Sequence, residues 1–493
     1  MKKSKLVHSI LLYILVLFLT LAIFSTKWAL KTFAFLSFDE TLFQLTSPIK
    51  SAETSILTSY LTDSLLVSIP ISIIIFFMLY KLFNYLNKDK PTTKIKTIKL
   101  IMTIIITISS IGIVYTCLDK IGFITFLYNQ THRSSYIEEN YVDPSKVKIT
   151  FPENKKNLIY IYVESLESTY FSKKVGGETS SNLLKPITKL TQENVNFSDT
   201  NKLGGAISVP GTTWTTSAMV AQTAGLPLKM NFDFILNSKH DTMLNGATTL
   251  GDILANNGYK QMYMIGSDKE FGHRGAYFKK HGNYEIYDYN TAKEKGKIDD
   301  DYYVWWGYED SKLFEYAKEE ITNLAKDNQP FNFTMLTTNT HFTDGYLEKN
   351  CSSDYENAYF NAIHCSAGQL EEFINWIKKQ PFYENTTIIM TGDHISMSQN
   401  IYKNNAPRRV YNVFINSAVS PNKEKNRKFS TIDFFPTTIA SLGAEIEGNR
   451  LGLGTNLFSN QKTYIEEIGI KKFNKEVSKH SSFYDKKILN LKK

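Results

Sequence analysis

NLIYIYVESLE, residues 157–167, decides what kind of domain this chain builds. After Asn157 six large apolar residues follow one another with no polar alternation, the pattern of a strand covered on both faces. The run stops abruptly at Glu164. Four further short segments read the same way: QMYMI (261–265), FNFTMLTT (331–338), TTIIMT (386–391) and RVYNVFI (409–415). Helical spacing separates several of them, around 183–193, 215–225, 249–257, 311–327, 361–378 and 432–442. Buried strands alternating with helices predict an α/β domain over 157–493 with a mainly parallel central sheet. Ligands of such sheets bind beyond the carboxyl ends of the strands. Three strands exit there into chemistry-bearing residues: Glu164-Ser165-Leu166-Glu167, Gly392-Asp393-His394 and Asn339-Thr340-His341.

Upstream of this domain lie three apolar stretches, roughly 8–28, 62–84 and 100–118. Each is close to the ~20 residues a helix needs to cross a bilayer. The first is longer than the apolar part of a signal peptide and lacks a clear small-x-small cleavage site, so it is expected to be retained. Residues 1–118 thus read as a membrane domain of three transmembrane helices, and 119–156, polar and aromatic without a period, as a juxtamembrane linker.

Charge sets the expected orientation. Lys2, Lys3 and Lys5 precede the first span, and Lys81, Lys88, Lys90, Lys94, Lys96 and Lys99, against Asp89, lie between the second and third. These nine lysines and one aspartate supply the entire formal net charge of +8. The basic balance is therefore a positive-inside signature and gives no case for a nucleic-acid partner. Three crossings place the domain after residue 118 on the extracytoplasmic face of a cytoplasmic (inner) membrane. Oxidation is permitted there, so Cys351 and Cys365 are a candidate disulfide, the alternative being two unpaired thiols. Cys117, in the third span, reads as a small apolar packer.

Glu164, Asp393 and His394 offer two carboxylates and an imidazole, a set that suits one divalent cation such as Mn²⁺, Zn²⁺ or Mg²⁺. Each residue also has an ordinary reading, as a turn residue, a helix cap or a solvated side chain. A metal with an open position can turn an alcohol into a nucleophile. SVPGTTWTTSAMVAQTAGLPL (208–228) crowds four threonines and a serine at the start of a helical stretch. A phosphate attached there would face the helix amides. Capping by Thr213 or Thr215 accounts for one hydroxyl without any metal, so the residues alone leave nucleophile and cap open.

Several segments, in order, resemble a known family: NLIYIYVESLESTYF (157–171), VPGTTWTTSAMVAQTAGLPL (209–228), GDILANNGY (251–259), HGNYE (281–285), TTNTHFTDGY (337–346) and TTIIMTGDHISM (386–397). They are similar to the bacterial phosphoglycerol transferases that modify periplasmic glucans. More broadly they resemble lipoteichoic acid synthases and phosphoethanolamine transferases of the sulfatase/alkaline phosphatase superfamily. STIDFFPTTIASLG (430–443) is similar to that superfamily's closing helix, and the resemblance covers about 150–460.

The resemblance implies a sulfatase-like fold and one divalent metal ion held by Glu164, Asp393, His394 and Thr215. It makes Thr215 the nucleophile, with Thr212 as the alternative, and gives His341 a catalytic place beside the phosphoryl group. Arg274 and His281 would bind the lipid headgroup. Two positions depart from the family: Gly272 stands where lipoteichoic acid synthases have tryptophan, and Arg274 where the glucan-modifying enzymes generally have lysine. The Cys351/Cys365 pair matches cysteines of the glucan-modifying group. The implied activity moves sn-glycerol-1-phosphate from phosphatidylglycerol to a glucan or other sugar acceptor through a phospho-threonine-type intermediate, releasing diacylglycerol. Other readings are a phosphoethanolamine transferase, a lipoteichoic acid synthase-like enzyme, a sulfatase-like phosphodiesterase, and a membrane-anchored scaffold without chemistry. The aromatic VWWGYED (304–310) reads as core and lid packing.

Overall fold

The computed structural model describes residues 2–33, 37–46, 54–87, 92–230, 243–327, 329–398 and 407–490. The chain divides into two compact units, Met1–Thr41 with Ala52–Tyr128, and Leu42–Ser51 with Asn129–Lys493.

In the first unit three stretches, Leu6–Thr32, Leu57–Leu86 and Thr93–Lys120, are helices long and apolar enough to cross a membrane. Apolar burial cannot hold such helices together in hydrocarbon, so small residues and interhelical hydrogen bonds must. Ser64, Ser68 and Ser72 recur every fourth residue and are buried. Ser68 Oγ lies 3.5 Å from the carbonyl of Thr20, and Trp28 Nε1 donates to Ser59 Oγ at 3.0 Å. Of the orienting charges, Lys88, Asp89 and Lys90, and the side chains of Lys2, Lys3 and Lys5, lie outside the described residues.

The second unit is built on a seven-stranded sheet: β1 (Asn157–Val163), β2 (Gly205–Ala206), β3 (Lys260–Ile265), β4 (Glu285–Tyr287), β5 (Phe331–Leu336), β6 (Thr386–Gly392) and β7 (Val410–Ile415). Their spatial order is β2-β7-β6-β1-β5-β3-β4. The five strands from β6 to β4 pair in parallel, whereas β7 runs antiparallel to both β6 and β2. Alternation along β1 explains its composition. Leu158, Tyr160 and Tyr162 join one hydrophobic core, while Ile159, Ile161 and Val163 join the other. Both faces need apolar residues because helices cover both. Thr215–Ala224 and Phe434–Ser441 pack into the first core, and Asp310–Leu324 and Ala358–Ile377 into the second.

The stretch 119–156 differs from the expected linker. The third long helix runs to Lys120, and short helices follow at Phe123–Thr131 and Tyr136–Asn140. Ile137 is buried, Tyr136 meets the rings of Tyr464 and Phe473, and Ile149 pairs with Ile446. These are single anchors onto a remote C-terminal segment, and isolated anchors leave no period in a sequence. For the same reason Phe43, from between the first two spans, belongs to the globular unit and is buried in its core.

Asp433 fixes the start of the Phe434–Ser441 helix by accepting from the amides of Ser430 and Thr455, each at 2.8 Å. Burial outweighs these bonds and raises its carboxyl to about 7. The folded state therefore keeps a proton that the unfolded chain has lost, and stability falls as pH rises from the ordinary aspartate range to about 7. Thermal unfolding of the detergent-purified chain should show a midpoint that drops between about pH 5 and 7.5, and D433N should reduce that drop. An identical slope in the variant would refute the assignment.

Candidate active site

Register brings the site together. β1 and β6 pair with Val163 opposite Gly392, so Glu164 and Asp393 leave adjacent strands side by side. Gly392 is required there because a Cβ would fall 2.0 Å from the carbonyl oxygen of Leu166. β5 pairs on the other side of β1, and its exit loop grips Glu164 at both ends. Thr337 Oγ1 accepts from the Glu164 amide at 3.1 Å, and Thr340 Oγ1 donates to the Glu164 carbonyl at 2.5 Å. His341 follows directly.

Glu164, Asp393 and His394 are all buried, and one ligand atom from each lies within 4.8 Å of the others. Asp393 Oδ1 accepts from the amides of Ser165 (2.8 Å) and His394 (2.7 Å), whereas buried Oδ2 has no hydrogen-bond partner among the described residues. Burial and the neighbouring Glu164 charge hold the Asp393 carboxyl well above the ordinary carboxylate range. His394 Nδ1 lies 2.8 Å from the Ile395 carbonyl, which can only accept, so Nδ1 carries the proton and Nε2 presents a lone pair. Nε2 lies 3.3 Å from Asp393 Oδ2 and 3.5 Å from Glu164 Oε1. An orphaned carboxylate oxygen, a second carboxylate and an imidazole lone pair, converging in a buried place, fit a divalent cation.

Four hydroxyls of 212–217 separate by their partners. Thr212 Oγ1 donates to the Val209 carbonyl (2.9 Å) and accepts from its amide (3.2 Å), closing the turn. Ser217 Oγ reaches back to the Trp214 amide (3.1 Å) and carbonyl (2.8 Å), and so caps the helix. Thr216 Oγ1 donates to the Gly272 carbonyl at 2.7 Å. Thr215, first residue of its helix, points at the acids: Oγ1 lies 3.5 Å from Glu164 Oε2 and 3.4 Å from His394 Nε2. Behind it, Gln222 Nε2 donates to the Gly392 and Asp393 carbonyls.

The remaining predicted residues are placed as follows. His341 Nδ1 lies 2.8 Å from the Phe342 carbonyl, so the ring presents Nε2 as His394 does, and it packs on Trp306 at 4.4 Å between centroids. Arg274 is buried and spends Nε on the Phe271 carbonyl and Nη2 on Ser267 Oγ and the Asp268 carbonyl. Its turn touches the Thr215–Ala224 helix through the Gly272–Thr216 bond, where a Cβ on Gly272 would meet Thr216 Oγ1 at 2.7 Å. His281 is not presented to a ligand, because Asp252 holds Nδ1 at 3.0 Å and the Met243 carbonyl holds Nε2 at 2.8 Å. Cys351 and Cys365 form a disulfide. Three neighbours were not signalled by the sequence: Phe43, which packs on Trp214 and His273, Gln222 and Trp306.

Fold and site define an α/β protein with a buried carboxylate–imidazole cluster that could hold a cation, beside a hydroxyl at a helix start. Residues 156–444 match the family model described as Sulfatase, and the chain belongs to the sulfatase family. Phosphoglycerol transferase I of Salmonella choleraesuis (strain SC-B67) is 32% identical over 339 residues, covering 67% of this chain and 42% of that protein. Phosphoglycerol transferase I of Escherichia coli (strain 55989 / EAEC) is 32% identical over 340 residues with the same coverage. The chain spans less than half the length of these relatives. The integral membrane protein lipooligosaccharide phosphoethanolamine transferase A (EptA) from Neisseria meningitidis shares the fold, with a TM-score of 0.51 at 11% identity over 89% of this chain and 84% of that one.

The partners of the hydroxyls give a direct contrast. T215A should lower phosphodiester turnover by about three orders of magnitude or more, as loss of a nucleophile does. T212V should keep turnover while costing about 1 kcal/mol of stability for its lost turn hydrogen bonds. Turnover lost in T212V and kept in T215A would reverse the assignment.

Proposed function

We propose that the chain is a membrane-anchored phosphoglycerol transferase acting on the extracytoplasmic face of the cytoplasmic membrane. Its donor would be phosphatidylglycerol and its acceptor a glucan or other sugar. The observation that carries this reading is Thr215 Oγ1 within 3.5 Å of Glu164 Oε2 and 3.4 Å of His394 Nε2 at the start of a ten-residue helix. The curated relatives named phosphoglycerol transferase I, and three helices apolar enough to hold the domain at a lipid surface, point the same way.

Glu164, Asp393, His394 and Thr215 would hold one divalent ion, Mn²⁺, Zn²⁺ or Mg²⁺, whose Lewis acidity favours the ionised threonine at neutral pH. Thr215 Oγ attacks phosphorus, and the bond from phosphorus to the diacylglycerol oxygen breaks. His341 enters this step as the imidazolium and gives that leaving oxygen the proton on Nε2, keeping the Nδ1 proton on the Phe342 carbonyl. First-turn amides of the Thr215–Ala224 helix face the phosphoryl oxygens and stabilise their charge. Glycerophosphate is left on Thr215. A sugar hydroxyl then gives its proton to His341 and attacks phosphorus, and the bond to Thr215 breaks, so the threonine oxygen leaves as it entered, deprotonated. Arg274, whose Nε and Nη2 are used within its own turn, would meet the headgroup through Nη1.

Mass spectrometry after incubation with phosphatidylglycerol vesicles and Mn²⁺ tests this reading. A glycerophosphate adduct is expected on the peptide carrying Thr215, accumulating in the absence of sugar and missing in T215A. A phosphoethanolamine adduct from mixed vesicles would change the donor. Release of headgroup into water with no dependence on sugar would make the protein a phosphodiesterase.

A further inference from the structure

Glu167, three residues beyond Glu164, has no part in the site described so far. It is fully buried. Arg408 grips its carboxylate, with Nε 2.9 Å from Oε2 and Nη2 on Oε1. Thr169 Oγ1 and Tyr170 OH also donate to it. Glu167 Oε1 accepts from the backbone amide of Ser396 at 2.9 Å, and Arg408 Nη2 donates to the Ser396 carbonyl at 2.7 Å. Both backbone polar groups of Ser396 are thus held by one ion pair.

The Ser396 amide belongs to the same planar peptide group as the Ile395 carbonyl, and that carbonyl is the one His394 Nδ1 donates to, at 2.8 Å. A continuous line results: the Glu167 carboxylate, the 395–396 peptide, the His394 imidazole and finally Nε2, which faces Asp393 Oδ2 and Glu164 Oε1. Metal-ligating histidines are commonly oriented by a carboxylate or carbonyl on the far nitrogen, which fixes the tautomer and raises the basicity of the ligating one. Here the two kinds of partner stand in series. A negative charge at the N–H end of an amide polarises its carbonyl into a better acceptor.

We propose that Glu167 is a positioning residue for His394. Through the single peptide 395–396 it sets the plane, tautomer and donor strength of the imidazole, and Arg408, bonded to both the carboxylate and the Ser396 carbonyl, stops the peptide from turning. This rests on Glu164, Asp393 and His394 being metal ligands. It goes further in giving the second glutamate of the Glu164-Ser165-Leu166-Glu167 exit a role that acts through His394 and not through the ion.

Isothermal titration of the full-length, detergent-purified chain with Mn²⁺ and with Zn²⁺ tests it. E167Q should bind about 10–100-fold more weakly, the usual cost of losing such a partner. E167Q/R408M removes both charges and leaves no orphaned guanidinium, so it is the variant to use if E167Q does not fold, and it should show the same loss. In the H394N background either change should alter affinity by less than about twofold, because the imidazole through which Glu167 acts is gone. Wild-type affinity in both Glu167 variants would overturn the proposal. An equal loss in the H394N background would overturn it too, marking a general effect of the buried ion pair. Failure of the wild type to bind either ion would instead overturn the metal reading beneath it.

Discussion

Glu164 and Asp393 leave neighbouring parallel strands, their carboxylates are buried, and register places them within 4.8 Å of each other and of His394. Two like charges at that distance repel by about 3–4 kcal/mol at an effective dielectric of about 20, before any cost of desolvation is added. Other buried acids of this domain have compensation close by. Glu167 has Arg408, and Glu348 accepts from Ser311, Asn339 and Gln369. Asp393 Oδ2 has no hydrogen-bond partner among the described residues. The arrangement calls for a cation, and its surroundings read as means of holding the ligand atoms ready for one.

The rest of the domain follows from that requirement. A sheet buried on both faces supplies rigid strand ends, and its parallel order delivers three of them to one edge. Threonines bind each exit to the next: Thr337 and Thr340 hold Glu164, while Tyr359 OH links the Thr340 carbonyl to Ser396 Oγ. The Thr215–Ala224 helix is packed into the core along most of its length, so its first residue projects over the acids with little freedom. Precision at Thr215 is therefore bought with burial elsewhere.

Much of this was legible in the sequence because burial on both faces leaves an unmistakable apolar run. The strands at 157, 261, 331, 386 and 409 lie within two residues of their expected bounds, and Glu164, Asp393 and His394 stand at their ends. Choosing among Thr212, Thr215, Thr216 and Ser217 was beyond composition, since a hydroxyl that closes a turn and one that faces a carboxylate read alike. Only their partners separate them. Gly205–Ala206 and Glu285–Tyr287 are too short to show a period. His281 looked available because its partner, Asp252, comes from 29 residues away. Phe43 and the anchors within 119–156 were hidden for the same reason: each contact is to a segment remote in sequence.

The central claim is that Glu164, Thr215, Asp393 and His394 are four ligands of one ion. Anomalous diffraction from crystals of the full chain grown with Mn²⁺ measures this directly. The account predicts a single strong peak bonded to a carboxylate oxygen of Glu164, Thr215 Oγ1, Asp393 Oδ2 and His394 Nε2, at distances of about 2.0–2.3 Å. A peak held by other residues, or no peak among these four at saturating Mn²⁺, would contradict it.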